Sequence, residues 1–313
     1  MKPEYIFLSG MEKCGTTSLA GWLTKNGIAE YLVEDIKEPH GYLISGIQPS
    51  MPAQAKLPWL DASTGYSLNP YAISRLPEHG TRIVLCLRNP FERTWSSYRM
   101  KKINALQDSE SLALSNSYLK ASGTTTAPDG TRLLQITAST AYQEQKIFHL
   151  RMFPRASSGY VERHFDAEID RLRQGDFAGR LDYEAAFLMT RRSFPFMSVL
   201  MASFYYASIR CFLDRYRPED LILISLDKLK EEANRVKFLS RLVGEVPETD
   251  EVKFGFTSRD LSFDEQKPDF DAPKFDSLRS ALSYDLQQYS DLLAARGVAT
   301  DLLDWDDLRR HLR

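Results

Sequence analysis

Residues 9 to 18 read Ser-Gly-Met-Glu-Lys-Cys-Gly-Thr-Thr-Ser and follow an apolar run, Tyr5 to Leu8. A glycine turn that opens a helix presents backbone N–H groups to an anion, and the hydroxyls of Thr16, Thr17 and Ser18 add donors at the same helix N-terminus. The chemistry on offer is phosphate binding. The triphosphate-loop pattern G-x-x-x-x-G-K-[ST] is met at Gly10 and Gly15 but not beyond, because Thr16-Thr17-Ser18 follows Gly15. The local lysine is Lys13, inside the loop, where its ammonium can reach past a bound phosphate toward the next group along. A leaving-group oxygen would sit there. With Cys14 as a small filler, Lys13, Gly15, Thr16, Thr17 and Ser18 make up the expected anion site. The plain alternative is a glycine-rich turn with a surface lysine.

A second string, residues 82 to 98, has an apolar run Ile83 to Leu87, then Arg88-Asn89-Pro90 and a segment of helical character. An arginine at a strand end and a serine two turns into the next helix, Ser96, can converge on one dianionic phosphate, Arg88 supplying a planar fork. Between Arg88 and Lys102 also lie Arg93, Arg99 and Lys101, against Glu92. A solvated basic helix face accounts for these charges apart from Arg88. A third string, Lys37-Glu38-Pro39-His40, lies in a charge run, where a solvated acid and a turn histidine are the plain readings.

Together these strings resemble the nucleotide site of sulfotransferases that use 3′-phosphoadenosine 5′-phosphosulfate (PAPS). Residues 13 to 17 are similar to the K-x-G-T-[TS] loop of the glycan-modifying members. Arg88-Asn89-Pro90 with Ser96 is similar to the R-[DN]-P strand end and its later serine, and Lys37 to His40 resembles the K-E-x-H of heparan-type enzymes. Weaker matches fall in order. Leu60 to Tyr66 stands in place of K-[ST]-P-x-Y without its lysine or proline, Ser203-Phe204-Tyr205 stands in place of G-x-Y, and Leu223 to Leu229 resembles V-x-x-[FY]-E-D-L. The late basic loop of the family is answered by Lys267 in Gln266-Lys267-Pro268, with Arg259 as the alternative. The resemblance implies sulfuryl transfer from PAPS to an acceptor hydroxyl on a carbohydrate or glycosylated natural product, by in-line displacement. Adenosine 3′,5′-bisphosphate is released and no metal takes part. It implies that Lys13 neutralises the leaving oxygen, that Arg88 and Ser96 hold the 3′-phosphate, and that Glu38 is the base with His40 as its rival. Two other readings stay open: a P-loop kinase or NTPase, with Leu221 to Asp227 as a metal-binding strand end, and a non-catalytic nucleotide-binding protein.

The elements that must position these residues alternate. Strands are expected at Tyr5 to Ser9, Pro58 to Ala62, Arg82 to Leu87 and Leu221 to Ser225. Helices are expected from about Thr16 to Asn26, from Phe91, and over Phe196 to Tyr216, Lys228 to Val243 and Phe275 to Arg296. The amphipathic stretches Leu133 to Leu150 and Val161 to Arg173 are separated by polar material, and residues 122 to 130 read as a mobile loop. Alternation implies a parallel sheet flanked by helices, an α/β three-layer fold of P-loop type in one domain spanning residues 1 to 313, with 104 to 195 as its variable, substrate-facing part.

In a chain of 313 residues, 43% hydrophobic content suffices for a large core, and a net charge of -2 argues against a general nucleic-acid binder. Cys14, Cys86 and Cys211 are too widely spaced for a disulfide framework or zinc site. The five histidines form no ligand motif. Phe196 to Ile209 is too short to span a membrane. The N-terminus lacks a signal segment or anchor, so a bacterial cytoplasmic setting is expected.

Overall fold

The computed structural model describes residues 2–33, 36–43, 56–106, 125–126, 132–133, 158–191, 195–244, 246–252 and 265–312. Its main sheet is built from runs that read as buried strands. These are β1 (Tyr5–Leu8), β3 (Trp59–Asp61), β4 (Thr81–Leu87) and, later in the chain, β7 (Leu221–Ser225), joined at the edge by a half-buried residue pair, β2 (Glu30–Tyr31), that the sequence pattern did not mark as a strand. All pair in parallel, in the order β2-β3-β1-β4-β7. The central strands carry apolar residues on both faces, the pattern of a parallel sheet covered on each side. The chain leaves β1 toward β2 and β3 on one side and returns to β4 on the other. That change of direction opens a crevice at the carboxyl ends of β1 and β4.

Helix α1 (Thr16–Lys25) follows β1, α2 (Pro70–Arg75) precedes β4, and α3 (Pro90–Leu106) follows it. Residues Thr125–Thr126 (β5) pair antiparallel with Arg132–Leu133 (β6), so part of the expected loop is a small ribbon; the rest of 122–130, like most of 133–150, lies outside the described residues. Helices α4 (Ser158–Gln174) and α5 (Phe177–Arg191) come next, then α6 (Tyr206–Leu213), α7 (Glu232–Val243), α8 (Asp276–Arg296) and α9 (Trp305–Arg309). Trp22 of α1 meets Phe238 of α7 at 6.5 Å between ring centroids, while α6 packs against both α2 and α8.

One expected helix is broken. Over Phe196 to Tyr216 only a short 3-10 turn, Met201–Ser203, and α6 form. The reason is competition for backbone donors. The N–H groups of Phe196 and Met197 donate to Glu168 and those of Val199 and Leu200 to Glu184, two buried carboxylates that share Arg180. The Tyr205 and Tyr206 N–H groups donate to Asp285 of α8, and regular helix starts only there. Amides committed to distant carboxylates leave no intrahelical ladder to build.

Candidate active site at the carboxyl ends of the strands

The loop after β1 is shaped by two glycines that have no room for a side chain. A β-carbon on Gly10 would lie 1.9 Å from the Cys86 backbone nitrogen of β4, and one on Gly15 would lie 2.2 Å from Leu226. Gly15 also has φ +86 as it caps α1, a conformation that favours glycine. The first intrahelical bond runs from Leu19 N–H to the Gly15 carbonyl, so the amides of Thr16, Thr17 and Ser18 precede the ladder and face the crevice end of the helix. Cys14 N–H donates to the Met11 carbonyl at 3.1 Å. That amide closes the turn rather than cradling an anion. The Cys14 thiol is buried and pushed up to about 12 by its burial, which suits a filler and not a nucleophile.

Among the described residues, the non-glycine positions with positive φ are Lys13 (φ 69), His40 (φ 51) and His311 (φ 69). Two of these are candidate catalytic residues. Strained backbone of this kind persists where the surrounding structure over-determines it, and it concentrates at functional sites. Lys13 is half-buried, with Nζ 3.7 Å from Met100 Sδ. Burial lowers its pKa; Glu12 opposes the shift, while Lys101, Arg88 and Arg93 add to it. An ammonium so placed gives up its proton more readily than an exposed lysine.

Arg88 leaves the end of β4 and donates from Nη1 to the Lys13 carbonyl at 3.5 Å, bringing the two expected nucleotide residues together. Its backbone is held as well, since Tyr205 Oη donates to the Arg88 carbonyl at 2.6 Å. Ser96 is half-buried two turns along α3. Glu92 lies between them in sequence. Its carboxylate pairs with Arg88 at 3.7 Å and with Lys267, so the structure draws Lys267 to the same charge as Arg88. Arg259 lies outside the described residues.

The reading of α3 as a solvated basic face needs correction. Arg93 is completely buried and Lys101 nearly so. Arg93 donates to Ser203 Oγ at 2.6 Å, to the Glu12 carbonyl at 3.3 Å and to the Val199 carbonyl. Lys101 pairs with Glu12 Oε2 at 2.8 Å, and Ser97 Oγ donates to the same oxygen at 3.2 Å. These contacts outweigh the burial of Glu12, and its carboxyl sits below its ordinary value. The spacing 93, 97, 101 is one helix stripe. It was visible in the sequence, but its partner Glu12 is far away along the chain.

Across the crevice stands the segment 36–43. Lys37 is 3% exposed and donates to Thr16 Oγ1 at 3.4 Å and to the Ala62 carbonyl at 3.5 Å while pairing with Glu38 Oε1. The other oxygen of Glu38 lies 3.4 Å from His40 Nε2 and accepts from Thr64 Oγ1 at 3.3 Å. Burial works against the Glu38 charge, yet Lys37 and the bond to His40 prevail and hold its pKa at about 2. His40 is fixed from behind. Its N–H donates to Ser63 Oγ at 2.9 Å, and Asp61 takes Ser63 N–H at 3.0 Å and Tyr66 Oη at 2.7 Å. The stretch Leu60 to Tyr66 thus supports the His40 turn through an acid and a serine. No role for Lys37 follows from the sequence, where it is one lysine in a charge run.

Lys13, Lys37, Arg88, Arg93, Lys101 and Lys267 against Glu12, Glu38 and Glu92 leave the crevice cationic, which suits an anionic ligand. Asp227 does not enter it. Its side chain is 73% exposed and paired with Lys230, while Leu226 packs at Gly15. Among the described residues no group of three His, Cys, Asp or Glu side chains is arranged to hold a metal ion, and no helix is long and apolar enough to cross a membrane.

Among solved structures, the crystal structure of a sulfotransferase from Alicyclobacillus acidocaldarius matches at 17% identity with a TM-score of 0.49, covering 96% of this chain and 97% of that one. No family model and no curated protein matches the chain. A likeness that remote says nothing of activity, so function rests on the side chains described above.

Proposed function

We propose that the protein transfers a sulfuryl group from PAPS to an acceptor hydroxyl on a carbohydrate or glycosylated natural product. The observation that supports this reading best is the pairing of a lysine inside the loop with a strand-end arginine. Lys13 occupies a strained backbone conformation between Gly10 and Gly15, and Arg88 bonds its carbonyl. The donor set fits the ligand, being rich in cations and helix N-terminal amides and poor in metal-type carboxylates. PAPS, when bound, supplies a sulfuryl group on a bisphosphorylated leaving group.

The chain's own residues then divide the work. The amides and hydroxyls of Thr16, Thr17 and Ser18 bind the 5′-phosphate, with Arg88, Ser96 and Lys267 for the 3′-phosphate. Lys13 stabilises charge on the leaving oxygen and gives it a proton, a task made easier by its lowered pKa. A single positive charge serves a monoanionic sulfuryl group, and no metal is needed. Glu38 receives the acceptor proton, with His40 orienting the hydroxyl beside it. The acceptor side is assigned to the region 104–195, of which α4 and α5 are described and residues 107–124 and 134–157 lie outside the described residues. The free cysteines suit the reducing cytoplasm.

The test is ligand-dependent stability. Adenosine 3′,5′-bisphosphate at a hundredfold excess over its dissociation constant is expected to add about 2.7 kcal/mol to unfolding, and ATP with magnesium much less. Labelled PAPS with an extract of the source organism then identifies the acceptor. A larger shift with ATP and magnesium overturns the proposal in favour of a kinase.

A further inference from the structure

We propose that Lys37 is a donor-binding residue: its ammonium, lodged between Thr16 at the start of α1 and the Glu38 carboxylate, bonds an anionic oxygen of the 5′-phosphosulfate and in doing so frees Glu38 for the acceptor. The inference rests on the sulfotransferase reading and adds a residue to it.

Position 16 is where the triphosphate-loop pattern carries its lysine, and this chain has threonine there. Lys37 brings an ammonium to Thr16 Oγ1, 3.4 Å away, from a different element, the crossover between β2 and β3. A second lysine therefore reaches the loop, at Thr16, while the Nζ of Lys13 lies at Met100. Burying an ammonium to 3% exposure is expensive unless its three donors are well matched. Here one donor has a charged partner, Glu38. The other two reach neutral oxygens at 3.4 and 3.5 Å, the long limit of a hydrogen bond. A donor oxygen at the helix N-terminus would complete that coordination.

The same contacts explain how Glu38 can act as a base. Among the described residues, the groups facing its carboxylate are Lys37 and His40 from its own segment and Thr64 from the 3-10 turn Thr64–Leu68; Asp61 of β3 faces Ser63 and Tyr66 and bears on His40. Held by Lys37, Glu38 is a weak base. An anion that draws the ammonium toward Thr16 weakens that hold and raises the basicity of Glu38, so proton abstraction is switched on only when donor is in place.

The experiment is calorimetric titration with adenosine 3′,5′-bisphosphate of wild type, Lys37→Met and the charge-neutral double variant Lys37→Met with Glu38→Gln, which protects against a misfolded single variant. It is joined to NMR titration of the Glu38 carboxyl with and without nucleotide. Both variants are expected to lose about tenfold or more in affinity, as removal of a charge-assisted bond does. In wild type the nucleotide is expected to move the Glu38 titration upward, and in Lys37→Met it should leave the titration where it is. Variants that bind like wild type, or a Glu38 titration in wild type indifferent to the nucleotide, overturn the role of Lys37 alone. Wild-type protein that fails to bind the bisphosphate overturns the sulfotransferase reading with it.

Discussion

Arg88 and Arg93 are five residues apart and chemically identical, yet the structure gives them different tasks that one pair of substitutions separates. The Arg88 side chain is 42% exposed, and its bonds to the Lys13 carbonyl at 3.5 Å and to Glu92 at 3.7 Å are long. Exposed pairs of that kind contribute little, so Arg88→Ala is expected to change unfolding stability by no more than about 0.5 kcal/mol. If its guanidinium grips the 3′-phosphate, the same substitution costs about 1.5 to 3 kcal/mol of nucleotide affinity, roughly ten- to a hundredfold. Arg93 is buried completely and its donors reach Ser203 Oγ, the Glu12 carbonyl and the Val199 carbonyl. Its removal leaves those acceptors unmatched and takes a cation from beside Glu12. Arg93→Ala is therefore expected to cost on the order of 3 to 5 kcal/mol in stability. Urea unfolding and calorimetric titration with adenosine 3′,5′-bisphosphate read the two effects separately. An Arg88→Ala protein with unchanged affinity, or an Arg93→Ala protein that unfolds like wild type, would refute the division.

Lys13→Ala should lower turnover on the order of a hundredfold, as loss of one preorganised charge-stabilising donor does, and wild-type transfer should survive a chelator; metal-dependent turnover would contradict the proposed role of Lys13. Glu38→Gln keeps the shape of the side chain and should suppress transfer by about a hundredfold or more while nucleotide still binds. His40→Ala should do less, and the reverse order would make His40 the base and Glu38 its orienting partner. Asp285 is raised to about 6 because burial outweighs the bonds it accepts from the Tyr205 and Tyr206 N–H groups. The folded state thus holds the proton more tightly than the unfolded chain, and its contribution, full below about pH 4, is lost as pH rises through about 6. Asp285→Asn should accordingly match wild type near pH 4 and exceed it by up to about 3 kcal/mol at pH 7, read by urea unfolding at the two pH values.

What the sequence determined by itself is local. The loop from Gly10 to Ser18, the strand that feeds it and the helix that leaves it are set by neighbours: apolar residues in a short run, glycines where a β-carbon has no space, hydroxyls at a helix start. The positions of Lys13 inside the loop and of Arg88 at the strand end were legible for the same reason, each lying within a few residues of the turn that places it. The parallel sheet followed from alternation of strand and helix patterns. What the tertiary structure alone decided depends on carboxylates meeting amides and cations far away in the chain. Glu168, Glu184 and Asp285 take the backbone donors of Phe196, Met197, Val199, Leu200, Tyr205 and Tyr206 and break a helix that the apolar pattern favours. Glu12 draws Arg93 and Lys101 inward from a stripe that composition alone reads as solvated. Lys37 is buried because Thr16, Glu38 and Ala62 surround it. Apolar periodicity records which face of an element is buried, but a buried charge leaves no periodic trace. Its partner is chosen by the fold, since only there is the cost of removing it from water met by a group of opposite charge.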